Sequence, residues 1–200
     1  NDKFEKRRSK QITDALERKY SLIPSSKVTD REMKEVSKID TTKGNIKEQV
    51  AETLLSVLKH YEFCSLGELN AILSVYNLVV EEVKTEFRGK KYDGLVYVPT
   101  ADKSNKVSTP IHASDIGRCV GYTAVQNRMQ KSKQAIKPLI SIIRYRVLQT
   151  MRTSPKTEEE LQQRLEEQGL RVFIRKNESR RIYGITFIDD KEGIALNGSR

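Results

Sequence analysis

One order of hydrophobic patterns, two helical stretches followed by three strand-like ones, occurs twice along these 200 residues. In the first occurrence Ile46, Val50, Leu54, Leu55 and Leu58 recur at the spacing of a helix buried along one side, over residues 45–60. A second helix is expected from about residue 65 to residue 76, with Leu66, Leu69, Ile72 and Leu73 inward. Ser65 and Glu68 stand three apart, the spacing of a capping box. The period then drops towards two, which predicts strands over 77–83, 92–98 and 107–113. Arg88, Gly89, Lys90 and Lys91 occupy the first turn, and Pro99 with the polar residues 102–105 marks the second.

The second occurrence follows the first closely enough to align. Ile143, Val147, Leu148 and Met151 match Val50, Leu54, Leu55 and Leu58 at a constant offset of 93. Glu160, Leu161 and Leu165 match Glu68, Leu69 and Leu73, and Gly169-Leu170-Arg171-Val172 matches Asn77-Leu78-Val79-Val80. Asn77 and Gly169 both suit a left-handed helix end. Residues 183–188 align with 93–98, and 198–200 with 113–115, the offset shrinking as shorter loops require. The fold expected is therefore α+β, an internal duplication of a helix-helix-β-β-β unit. The first unit covers 45–117 and the second 136–200, joined by a basic connecting helix over 118–135 that includes Tyr122, Val125 and Met129. Ahead of them, Phe4, Ile12, Leu16 and Tyr20 predict a short helix over 3–20, and Pro24 with its polar neighbours predicts a linker over 21–44. The chain opens at Asn1 without a Met and stops at Arg200 beside a Gly-Ser pair, which reads as an excerpt of a longer polypeptide.

Charge is segregated. The formal net charge is +10, yet no acidic residue falls between Asp115 and Glu158, where Arg118, Arg128, Lys131, Lys133, Lys137, Arg144, Arg146, Arg152 and Lys156 are found. Phosphate neutralisation needs cations gathered without acids among them, because interspersed signs cancel at the distance of a nucleic-acid surface. Arg128, Lys131, Lys133, Lys137, Arg144 and Arg146 are the expected phosphate contacts, with Arg88, Lys90, Lys91, Arg175, Lys176, Arg180 and Arg181 as secondary candidates on hairpin tips.

The same composition speaks against an enzyme. His60 and His112 are the two histidines, lie in different elements, and form no HxH or HExxH pattern. Arg88-Gly89-Lys90 lacks the second glycine of a phosphate-binding loop, and none of the eight tyrosines has a base or metal that the sequence places beside it. Asp189, Asp190 and Glu192 offer hard oxygens to a divalent cation, but adjacent Asp residues before a Gly read better as a strand-to-strand turn. Cys64 and Cys119 have neither CxxC spacing nor a histidine partner, so no metal, cofactor or disulfide is expected. No apolar run is long enough for a bilayer and no signal peptide opens the chain, so a cytoplasmic location without membrane contact is expected.

The strings Arg181-Ile182-Tyr183-Gly184-Ile185-Thr186-Phe187-Ile188-Asp189 and Gly193-Ile194-Ala195-Leu196-Asn197-Gly198-Ser199 resemble the region downstream of the nuclease core in relaxase (mobilisation nuclease, Mob) proteins of mobilisable bacterial elements. The stretch 63–73, with Tyr76-Asn77-Leu78-Val79-Val80, Gly94-Leu95-Val96-Tyr97 and Pro110-Ile111-His112-Ala113-Ser114, is similar to a partner segment of that family, and 9–22 to the junction after the nuclease core. The resemblance implies a parent protein that nicks one DNA strand at an origin of transfer during conjugation, with an N-terminal tyrosine and a divalent metal held by a histidine triad. No residue here matches that triad, so no catalytic role carries over. What it implies for this chain is non-catalytic binding and positioning of origin DNA, single- or double-stranded. The alternative is a protein-interaction module for other relaxosome components, with incidental basic charge.

Overall fold

The computed structural model describes residues 37–87, 89–101, 105–106 and 108–199, so the helix expected over 3–20, most of the 21–44 linker and Arg88 lie outside the described residues. Val36–Arg200 forms one compact unit. Its first helix, α1 (Ile46–His60), turns Val50, Thr53, Leu54 and Val57 inward. Helix α2 (Leu66–Leu73) begins where the sequence places its cap: Ser65 Oγ accepts from the Glu68 N–H at 3.2 Å, and the Glu68 carboxylate accepts from the Cys64 N–H at 2.5 Å. A single 3-10 turn (Ser74–Tyr76) leads to Asn77, whose φ of 58° reverses the chain into β1 (Leu78–Phe87). Strand β1 pairs antiparallel with β2 (Lys90–Ala101) from Leu78↔Pro99 to Phe87↔Lys90. Two short strands, β3 (Asn105–Lys106) and β4 (Ile111–His112), pair with other parts of β2.

After β4 come a short helix α3 (Ala113–Ile116), a 3-10 turn (Arg118–Val120) and α4 (Tyr122–Ile136). The 3-10 turn Lys137–Leu139 separates α4 from α5 (Ile140–Arg152). Pro138 has no N–H to give to the preceding turn, which is why the basic stretch is two helices and not one. Helix α6 (Glu158–Glu167) then precedes β5 (Arg171–Lys176), β6 (Ile182–Asp189) and β7 (Ile194–Asn197), an antiparallel sheet in the order β5-β6-β7.

The fold is α+β, and the hydrogen-bond registers of its two sheets reproduce the sequence alignment. Val80 faces Tyr97, which faces Ile111; Val172 faces Phe187, which faces Leu196. These are equivalent residues of the two occurrences. Thr157 caps α6 as Ser65 caps α2, accepting from the Glu160 N–H, while the Glu160 carboxylate accepts from the Lys156 N–H. Gly169, at φ +74°, takes the left-handed place of Asn77. The expected third strand over 107–113 is shorter than its sequence pattern: Pro110 cannot donate to a ladder, and Ala113 already belongs to a helix.

The two copies share a core. Ile188 and Ala195 of the second sheet pack in the cluster built by α1, α2 and the first sheet, while Cys64 packs with Ile136, Ile143, Leu165 and Leu196 in the second cluster. A backbone seam joins them: the Glu62 N–H donates to the Gly193 carbonyl at 2.7 Å and the Ala195 N–H donates to the Glu62 carbonyl at 3.0 Å. Buried Glu68 adds to it, accepting from the Asn197 N–H at 2.9 Å. Gly193 is needed at this seam. Its φ is +63°, and a Cβ there would come within 2.1 Å of the His60 carbonyl oxygen.

Candidate nucleic-acid interface

The acid-free stretch between Asp115 and Glu158 holds α4 and α5 with the 3-10 turn before each, and its cations separate into two kinds by burial. Two of the expected phosphate contacts are committed inside the fold. Arg128 donates to the Tyr61 carbonyl at 3.0 Å and to the Glu62 carboxylate at 3.3 Å, holding α4 against the seam. Arg146 donates to Asp189 Oδ2 at 2.7 Å, and Asp189 is 1% exposed. Lys131, Lys133, Lys137 and Arg144 are exposed.

Helix geometry divides the exposed lysines. Val125, Met129, Ser132 and Ile136 form the buried side of α4. At 100° per residue Lys133 lies on one flank of it and Lys131 on the other. Lys137 follows four residues after Lys133 on the same flank, and Lys133 also donates to Gln130 Oε1 at 2.9 Å. On α5, Ile143 and Thr150 are buried, which turns Arg144, Leu148 and Arg152 outward in one stripe four residues apart, with Tyr145 beside it. Tyr145 is 64% exposed and Leu148 60%.

The hairpin tips differ from one another. In the first, Lys90 opens β2 across a two-residue turn from Phe87 and Lys91 pairs with Glu86, while Arg88 is outside the described residues. In the second, Lys176 forms an ion pair with Glu158, which ties the tip to the start of α6. Arg180 and Arg181 are exposed there, in a turn closed by the Asn177 N–H donating to the Arg181 carbonyl at 3.0 Å. Arg175 is drawn inward. It donates to Asn197 Oδ1 at 3.1 Å, and its guanidinium lies 5.8 Å from the ring centre of Tyr183. Gly67 and Gly184 make room for it, since a Cβ at either would come within 2.4 or 2.7 Å of its nitrogens.

Between α5 and the second sheet runs an open groove. One recess of 250 Å3 is lined by Arg144, Val147, Leu148, Phe187 and Leu196 among others, and a second of 390 Å3 continues it past Val147 and Phe187 to Arg175, Tyr183 and Ile185. Among the described residues no carboxylate lines either recess.

Sequence reasoning missed Tyr145, Leu148 and Tyr183 as surface features and left Arg152 out of the expected phosphate contacts. The signal was present, as a four-residue spacing of Arg144, Leu148 and Arg152 in a segment without acids. The match of Leu148 to Leu55 made it read as core.

Of the residues considered for catalysis, His60, Asp189 and Asp190 make hydrogen bonds within the fold. His60 Nδ1 lies 2.8 Å from the Ser56 carbonyl at the end of α1, and His112 is an exposed residue of β4. Asp189 ends β6 and Asp190 opens the turn to β7. Asp189 Oδ1 accepts from the Lys191 and Glu192 N–H groups at 3.1 and 3.0 Å. Asp190 accepts from the Tyr61 hydroxyl at 2.6 Å and from the Arg171 guanidinium at 2.5 and 2.6 Å. Burial raises the Tyr61 hydroxyl well above its ordinary range, and the bond to Asp190 adds to it. Burial also pushes the Asp190 carboxyl up, but the Arg171 and Tyr61 bonds outweigh it and leave the group below its ordinary value. Among the described residues no group of three or more His, Cys, Asp or Glu is placed to hold a metal ion, and no helix is long and apolar enough to cross a membrane. Cys64 is buried and Cys119 exposed, and no disulfide joins them.

No protein-family model, curated protein or solved structure matches the chain.

Proposed function

We propose that this chain binds and positions DNA without catalysing a reaction, as a segment of a mobilisation relaxase that handles origin-of-transfer DNA in the cytoplasm. The observation that carries the reading is the acid-free stretch, whose helices α4 and α5 leave Lys131, Lys133, Lys137 and Arg144 exposed. Cations of this kind neutralise phosphates and release counterions, which gives affinity without base readout. Exposed Arg180 and Arg181 on the second hairpin are further cations open to a phosphate.

The test is fluorescence anisotropy of labelled single-stranded and duplex origin-like DNA across a salt series. It is repeated with Lys131→Glu, Lys133→Glu and Lys137→Glu combined, leaving Arg128 and Arg146 in place because they hold the fold. Affinity that falls steeply with salt, with a slope shallower by about 2–3 in the variant, supports phosphate contact at these lysines. No binding at low salt overturns it.

A second reading, a module that binds other relaxosome proteins, is favoured by Leu148 and Tyr183, large apolar side chains on the surface of the second copy.

A further inference from the structure

The two copies bury the same face to different extents, and the difference has a definite shape. In the first copy Tyr97 and Leu95 are fully covered. Their cover is the segment that follows β4: α3 and α4 pack on β2, Val120, Val125 and Met129 enter the core, and the Tyr97 hydroxyl donates to the Val120 carbonyl at 2.7 Å. Leu58 of α1 packs against the same cluster. In the second copy the equivalents of Tyr97 and Leu95, Phe187 and Ile185, are half-buried and line the groove. The equivalents of Leu55 and Leu58, Leu148 and Met151, are 60% and 50% exposed.

We infer that the groove between α5 and the β5-β6-β7 sheet is the docking site for an amphipathic helix with acidic flanks, supplied by a protein partner. The first copy shows which element fits this face, a helix with Val125 and Met129 four residues apart, preceded by a 3-10 turn that adds Val120. Charge selects the flanks. Arg144 and Arg175 line the groove and, among the described residues, no carboxylate does, so an acidic helix gains attraction where a basic one meets like charge. Helix-in-groove recognition uses such anchors one turn apart, and a groove walled by Val147, Leu148, Phe187 and Leu196 provides the apolar receptacle. This site is separate from the lysines of α4 and borders the proposed DNA surface at Arg144.

The probe is a fluorescein-labelled peptide of residues 113–130 carrying Cys119→Ser, with Thr123→Glu, Asn127→Glu and Gln130→Glu on its outward positions. A control peptide carries Lys at those three positions. Binding to the full chain is followed by anisotropy, beside the variant Leu148→Ser/Met151→Ser, whose two sites are exposed and uncharged so that neither the fold nor phosphate attraction changes. The expected result is saturable binding of the acidic peptide, weaker binding of the basic one, and a loss of about tenfold or more in the variant. DNA affinity stays the same in that variant, whereas the triple lysine variant loses DNA and keeps the peptide.

No binding of the acidic peptide at the highest soluble protein concentration overturns the inference, and so does equal binding of both peptides. Sedimentation of the full chain as a dimer that Leu148→Ser/Met151→Ser dissociates assigns the groove to a second copy. Loss of DNA binding in that variant assigns it to nucleic acid. Either outcome also overturns the acidic-helix occupant.

Discussion

Replacing Arg146 by Ala is expected to unfold the protein more easily before it affects any ligand. The Asp189 side chain is 2% exposed, and Arg146 Nη1 meets its Oδ2 at 2.7 Å. Two backbone N–H groups remain on Oδ1 when the guanidinium is removed, so the carboxylate keeps part of its solvation but loses its countercharge. Breaking a fully buried ion pair by removing one partner costs about 3–5 kcal/mol, and a hydrogen bond to a charged group contributes about 1.5–3 kcal/mol. Arg146 is itself 29% exposed, and water entering where it stood lowers the cost towards about 2–3 kcal/mol. For a chain of this size that corresponds to a fall in Tm of about 4–12 °C. Urea denaturation of the Arg146→Ala, Asp189→Asn and double variants measures it directly, with a coupling of more than about 1 kcal/mol expected between the two sites. A single variant within about 0.5 kcal/mol of the parent, with no coupling, refutes the view that Arg146 is a structural residue. It would then return to the list of phosphate contacts.

Gly193→Ala combines a left-handed backbone with a Cβ within 2.1 Å of the His60 carbonyl, so it costs at least about 2 kcal/mol, whereas Gly89→Ala, at φ +72° with open space around it, costs about 1 kcal/mol; denaturant midpoints compare them. Ser65→Ala and Thr157→Ala each remove one N-cap acceptor and lower stability by about 1 kcal/mol, read from the same unfolding curves. Asp190 titrates below its ordinary value in the fold, so its contribution is present above the unfolded pKa and disappears as pH falls through the folded one. Stability measured from pH 6 down to pH 2 therefore declines below about pH 4, and Asp190→Asn flattens that decline.

Sequence alone determined the repeated order of helices and strands, because each element writes its own period and cap into a short window. The box at Ser65 and Glu68 and the left-handed positions at Asn77 and Gly169 follow from residues within a few positions of one another. The clustering of positive charge was legible for the same reason. Tertiary structure alone decided what each cation does. Arg146 and Lys133 look alike in a run without acids, yet Asp189, forty-three residues away, claims the first, and the second reaches Gln130 on its own helix. Burial of the repeated apolar positions was likewise undecided. Leu58 and its equivalent Met151 obey the same helical pattern, yet Leu58 packs against the first core and Met151 is 50% exposed, a matter of long-range packing that no local period encodes.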